Sequence, residues 1–237
     1  MAIPGLVAAS NLADTENKEA VWDNLGNGID AAIPTTNLLL KSEEFDDAAW
    51  LKGFVSVVAN GETAPDGTNE ADKLVETTAD GTHHLIQLLA VPDNSLVTVS
   101  AHFKAAERNW CRISVRAKNN TYPGAYFNLS NGTIGSIISS PISVSIVSVG
   151  DGWYRCSATA NVGTEALSAG VFIMVNNENL GLSYLGDGTS GIYLWGAQLE
   201  LAEEVGPYVP TTTASVSASP IASITIKGDD ILELIGA

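Results

Sequence analysis

Segments in which apolar and polar residues alternate with a period of two follow one another through most of the chain, punctuated by glycine, asparagine, aspartate and proline. No helix-length stretch separates them. Together these two observations predict an all-β protein, an antiparallel β-sandwich of jelly-roll type, because parallel strands would need helical crossovers between them. Composition agrees: 45% of the residues are hydrophobic, 16% are charged and 22 are glycines, which suits a globular, turn-rich domain.

Three zones follow along the 237 residues. The first, 1–36, reads as a docking arm with one helix. In NLADTENKEAVWDNLG (11–26) Asn11 or Asp14 is an N-cap and Glu16 and Glu19 favour the early turns. Ala20, Val21 and Leu25 form a narrow apolar stripe before Gly26 stops the helix. So thin a stripe cannot stabilise a lone helix, so Leu12, Trp22 and Leu25 are expected to dock on another surface.

The second zone, 37–210, is the predicted sandwich. Its expected strands are FVSVVA (54–59), HHLIQLLAV (83–91), LVTVSAHFKA (96–105), WCRISVRAK (110–118) and GAYFNLS (124–130). ISVSIVSV (142–149), WYRCSATANV (153–162), AGVFIMVN (169–176) and GIYLWGAQLE (191–200) complete the set. Turns such as SNGT and GDG divide them. The third zone, 211–237, opens with the Ser/Thr/Ala linker TTTASVSASP and ends in a predicted hairpin, SITIK-GDD-ILELI (223–235). A lone hairpin is marginal in water, so Ile224, Ile226, Leu232 and Leu234 are expected to serve assembly.

Eleven Lys and Arg against 27 Asp and Glu leave a formal net charge of −16. Such a field repels nucleic acid and anionic membranes, so neither is an expected partner. The first basic residue is Lys18, which leaves MAIPGLVAAS without the charged start of a secretory signal, and no apolar run is long enough to span a bilayer. Cys111 and Cys156 are the only cysteines. Both fall at inward positions, where they are either free thiols acting as small hydrophobes or a bridge between neighbouring strands.

All the arginines lie at Arg108, Arg112, Arg116 and Arg155. Alternation turns Val97, Val99, Ala101, Phe103 and Ala105 inward, with Cys111, Ile113, Val115 and Ala117, and with Tyr154, Cys156, Ala158 and Ala160. The opposite parity carries His102, Lys104, Trp110, Arg112, Arg116, Trp153 and Arg155 and no acid. If these strands share a sheet, one face gathers four cations and two tryptophans. It reads either as a half-solvated surface with arginines lying over tryptophans, or as a contact face for acidic sugars or a neighbouring subunit's carboxylates. His102, Lys104, Trp110, Arg112, Arg116, Tyr122, Tyr126 and Arg155 are the candidate contact residues. A jelly roll can also split these strands between two sheets, which would divide the patch.

No enzyme is expected. The chain has no nucleophile elbow, no HExxH and no phosphate-binding loop. His83 and His84 are adjacent, so on a strand they point to opposite faces and cannot chelate together. No cofactor is expected beyond a calcium ion conceivable at the loop APDGTNEAD (64–72).

Three stretches resemble a known family. They are NLLLKSEEFDDAAWLKGFVSVVANGETAPDGTNEADKLVE (37–76), DGWYRCSATA (151–160) and GIYLWGAQLELAEEVGPYVPTT (191–212). In this order they look like the carbohydrate-binding-module-like jelly-roll domain of phage structural proteins. NLAD…AVWDNLG (11–26) is similar to a segment near the head-proximal parts of phage tail fibres. The resemblance implies a non-enzymatic virion structural protein of head-decoration, cement or head-fibre type, exposed on the particle and soluble in the host cytoplasm before assembly. It implies a homotrimer in contact with other virion proteins. It also admits a tail-fibre or adhesin module that binds host-surface polysaccharide, or a secreted polysaccharide-binding protein. Trp50, Trp153 and Trp195 stand at positions of the family pattern, which implies packing roles for them.

Overall fold

The structure, a computed structural model, describes residues 36–217. The predicted helix with Leu12, Trp22 and Leu25 and the predicted hairpin with Ile224, Ile226, Leu232 and Leu234 lie outside the described residues.

Every strand pairing is antiparallel, and two six-stranded sheets carry the fold. The front sheet runs β10 (Thr133–Ile138), β9 (Gly124–Asn128), β8 (Trp110–Arg116), β13 (Ala169–Asn176), β6 (His84–Leu89) and β2 (Leu51–Gly53). The back sheet runs β11 (Ser143–Gly150), β12 (Trp153–Asn161), β7 (Leu96–Ala105), β15 (Gly191–Glu200), β4 (Ala71–Glu76) and β3 (Val55–Glu62). Two small pairs complete it: β1 (Thr36–Asn37) with β16 (Val216–Ser217), and β5 (Asp80–Gly81) with β14 (Tyr184–Leu185). The fold is the jelly-roll β-sandwich that the alternation predicts.

The core lies between the sheets and is built from the predicted inward set. Val97, Val99, Ala101 and Phe103 of β7 meet Cys111, Ile113 and Val115 of β8, with Cys156 and Ala158 of β12 and Val171, Ile173 and Val175 of β13. Cys111 and Cys156 are buried, free and on opposite sheets, so no bridge joins neighbouring strands. Burial, and then the nearby Cys111 thiol, push the Cys156 thiol well up, which keeps it an inert apolar group.

Three strands of the two large sheets escaped the alternation rule. β4 is buried on both faces apart from Lys73, so it shows no alternation. β10 is interrupted by a register shift between Ile134 and Ile137, and β2 is three residues long. The stretch expected to begin a linker at 211 is tied into the sandwich. Lys41 and Ser42 donate backbone hydrogen bonds to Thr212 and Thr211, and Val216 pairs with Asn37.

Asn37 closes the domain. Its Nδ2 donates to the carbonyls of Ala197 and Val209 at 2.9 Å each, and its Oδ1 accepts from the amides of Leu39 and Leu199. All four bonds of the side chain's capacity are thereby made.

Asp72 on β4 accepts from the amides of Phe45 and Asn60 at 2.9 and 3.0 Å, yet burial outweighs them and pushes its carboxyl up to about 6. A carboxyl raised above its unfolded value contributes stability that is complete below the unfolded pKa and lost as pH rises through the folded one. The Asp72 contribution therefore fades between about pH 4 and 6. Thermal melting of Asp72→Asn across that range should lack this loss; a variant with an unchanged pH slope contradicts the assignment.

Candidate functional site

The predicted contact residues do not share a face. β7 and β12 lie in the back sheet and β8 in the front one, so the outward residues of the two sets stand on opposite sides of the sandwich. His102, Lys104 and Arg155 belong to the back face. Trp110, Arg112, Arg116, Tyr122 and Tyr126 belong to the front face and the loop before β9.

The back face is roofed by the chain's own loops. The Tyr208 ring packs on Trp195 and His102, with centroids 4.8 and 5.9 Å away, and its hydroxyl meets Ser42 and donates to Glu43. A left-handed Gly196, at the bulge in β15, makes this approach available, since a Cβ there would lie 3.2 Å from the Tyr208 ring. Trp153 is buried and donates from Nε1 to the Thr63 carbonyl, which confirms packing roles for Trp153 and Trp195. His102 is only 6% exposed, and burial, with the Arg155 charge beside it, pushes the imidazole down to about 4. It is thus a neutral buried ring and not a contact residue, a correction to the sequence expectation. Lys104 pairs with Glu62 at 3.6 Å over the Trp153 ring. Arg155 donates from Nη2 to Ser100 Oγ at 3.0 Å.

The front face differs in its charge. None of its six strands contains an Asp or Glu, although the chain has 27 of them. Cations and rings occupy the outward positions instead. Arg112 lies between Tyr126 and Phe172, with its guanidinium carbon 5.5 Å from each ring. It donates to Ser114 Oγ and to the Tyr122 carbonyl at 2.9 Å, and reaches Met174 Sδ at 4.0 Å. Arg112 is 4% exposed and Tyr126 1%, so both form a floor and neither is open for contact, again correcting the sequence expectation. A line of rings crosses this floor. Tyr122 packs on Phe172 at 4.8 Å and Phe172 stacks on His84 at 5.0 Å. His84 in turn lies over Gly53, where a Cβ would come within 2.1 Å of its Cε1.

Around the floor stand half-buried groups that solvent reaches: Trp110, Tyr122, Arg116 and His84. Trp110 lies against Gly135. Arg116 donates to the Ser168 carbonyl and to Asn120 Oδ1, and makes no ion pair among the described residues. Planar rings beside an unpaired guanidinium can hold the apolar faces and the hydroxyl or carboxylate groups of a sugar. Sequence reasoning missed His84, Phe172 and Met174. AGVFIMVN is apolar at both parities, and that is the mark of a strand covered on both faces.

No metal site emerges. Among the described residues no three His, Cys, Asp or Glu side chains stand close enough to hold an ion. In the loop considered for calcium, Asp66 accepts from the amide and hydroxyl of Thr68, and Asp72 from the two amides named above. His83 and His84 do point apart: His83 bonds the carbonyls of Phe54 and Tyr184, while His84 faces the ring line.

By sequence no known family matches the chain, and no curated protein does. Solved structures resemble it. The CBM22-1 xylan-binding domain of Paenibacillus barcinonensis Xyn10C matches with a TM-score of 0.40 and 14% identity, over 73% of this chain and 100% of that one. A carbohydrate-binding module of Cellvibrio mixtus lichenase 5A, in complex with cellotriose, matches with a TM-score of 0.34 and 11% identity, over 70% and 96%. The enzymatically active domain of tailspike protein 4 of bacteriophage CBA120 matches with a TM-score of 0.42 and 12% identity, over 68% of this chain and 21% of that one.

Proposed function

We propose that the protein is a non-enzymatic surface component of a bacteriophage particle, and that its sandwich contacts host-surface glycan, acidic glycan above all, through the front face. The observation that carries this reading is a front sheet free of carboxylates in a chain of net charge −16, with Trp110, Tyr122, Arg116 and His84 half open around its floor. The net acidic charge repels anionic polymers in general; on this face a polyanion meets cations and rings. The phage setting, exposure on the virion and a trimeric assembly through the terminal segments rest on the resemblance of residues 11–26, 37–76, 151–160 and 191–212.

Trp110→Ala and Arg116→Ala should each weaken binding of acidic host polysaccharide about tenfold, equivalent to about 1.4 kcal/mol. Binding should also fall steeply with added salt. Calorimetric titration of the purified chain with acidic and neutral polysaccharides tests this. Unchanged affinity in both variants, or no binding to any host polysaccharide, removes the reading.

The head-decoration or cement reading rests on the same resemblance. Locating labelled protein on imaged particles separates head from tail.

A further inference from the structure

Among the described residues the two sheets have four open edges, and three are blunted along their length against pairing with another chain. β2 has three residues and carries Lys52. β3 loses register between Val58 and Glu62 and ends on a carboxylate. β10 shifts between Ile134 and Ile137. Short strands, bulges and charges are the usual protections of a sheet edge. β11 is the least protected. It pairs with β12 in unbroken register from Ser143 to Ser148 and shifts only at its end, between Ser148 and Gly150; it contains no charge and no proline, and among the described residues its other side is open.

We propose that β11 is the edge by which two copies of this chain pair, antiparallel about a two-fold axis, so that their back sheets join into one continuous sheet. Charge selects a second copy. Residues 119–150 contain no Asp, Glu, Lys, Arg or His. Two chains of net charge −16 repel, and this uncharged flank lets them meet with the least opposition. The flank is also apolar. Ile142 and Val147 are 60% and 56% exposed, and on β10, joined to β11 by only Ser139–Ile142, Ile137 is 59% exposed. A two-fold centred on Ile146 sets Ile146 opposite its own counterpart. Val147 then faces Ser145 and Ser148 faces Val144, so small residues meet larger ones and no like charges oppose. A hollow of about 280 Å³ just inside the edge, lined by Ser145, Val147, Val149, Arg155, Ser157 and Val205, offers room for side chains of the second copy. The pairing uses the back sheet, so it stands or falls independently of glycan binding on the front face.

The test is the mass of the intact chain by light scattering over a range of concentrations, compared with the double variant Ser145→Lys, Val147→Lys. In the proposed register these changes put like charges directly opposite, yet they lower the net negative charge, so general repulsion cannot explain a loss of pairing. The particle mass should halve while the circular-dichroism spectrum stays native. An unchanged mass in a natively folded variant overturns the proposal, as does an unmodified chain that is monomeric at every concentration. Should the variant misfold, hydrogen exchange on the unmodified protein decides. The amides of Ser143–Ser148 that point away from β12 should be protected in concentrated solution and exposed on dilution, and exchange of these amides independent of concentration overturns the pairing.

Discussion

Replacing Arg108 with alanine should destabilise the sandwich by about 3–5 kcal/mol, read from the midpoint of denaturant unfolding. Its partner Glu76 is a fully buried carboxylate at the end of β4. Arg108 holds both oxygens, Nε to Oε2 at 2.9 Å and Nη2 to Oε1 at 2.5 Å. The Tyr184 hydroxyl and the Asp187 amide supply the remaining donors at 2.7 and 2.9 Å. Burial pushes Glu76 up, but Arg108 and these donors outweigh it and hold the carboxyl below its ordinary value. A depressed carboxyl contributes stability that is present above the unfolded pKa and lost as pH falls through the folded one. Without Arg108 only the Tyr184 hydroxyl and the Asp187 amide oppose burial, so the carboxyl rises and this contribution shrinks. Arg108→Ala should therefore lose less stability on acidification than the unmodified chain, which loses the full Glu76 contribution. A variant with the parent's midpoint and acid slope would show that the pair carries little.

The second large effect concerns Arg112, and it splits by chemistry. Arg112→Glu should cost about 3–5 kcal/mol, because it buries a carboxylate among rings with no cation to meet it. Arg112→Met should stay within about 1 kcal/mol of the parent, or exceed it, since the native guanidinium is buried without a carboxylate partner among the described residues and a thioether fills similar volume beside Met174. Equilibrium unfolding of both variants measures the contrast, and equal losses would mean that shape alone matters at this position. Charge reversal at Arg112 is thus a poor probe of ligand contact: it would break the floor of the face. Trp110 and Arg116, at the rim, are the positions to change.

Where one parity of a strand is apolar and the other polar, the sequence was a faithful guide. Val97 to Phe103 and Cys111 to Val115 point inward as alternation requires, and β7, β13 and β15 begin and end at the predicted residues. Strands covered on both sides defeat that rule. Ala71–Glu76 reads as nothing in particular because Asp72 and Glu76 are buried beside Leu74 and Val75. The candidate site was half legible. Alternation placed Arg112 and Arg116 outward, but it says nothing of which sheet a strand joins, and a sandwich turns that one choice into opposite sides of the molecule. Nor could it show that Tyr208, more than a hundred residues after His102, would close over the imidazole, because long-range packing leaves no local pattern.

The pairing of Thr36 with Ser217 and the four bonds of Asn37 also have a mechanical side. A pull applied at Thr36 and Ser217 would load adjacent antiparallel strands from the same end, so rungs would part singly, as in a zipper, instead of resisting together in shear. The first short pair would yield easily, and Asn37 would then act as the catch on which further opening waits. Under tension the domain could thus lengthen at modest force while the two-sheet sandwich behind the catch kept its shape.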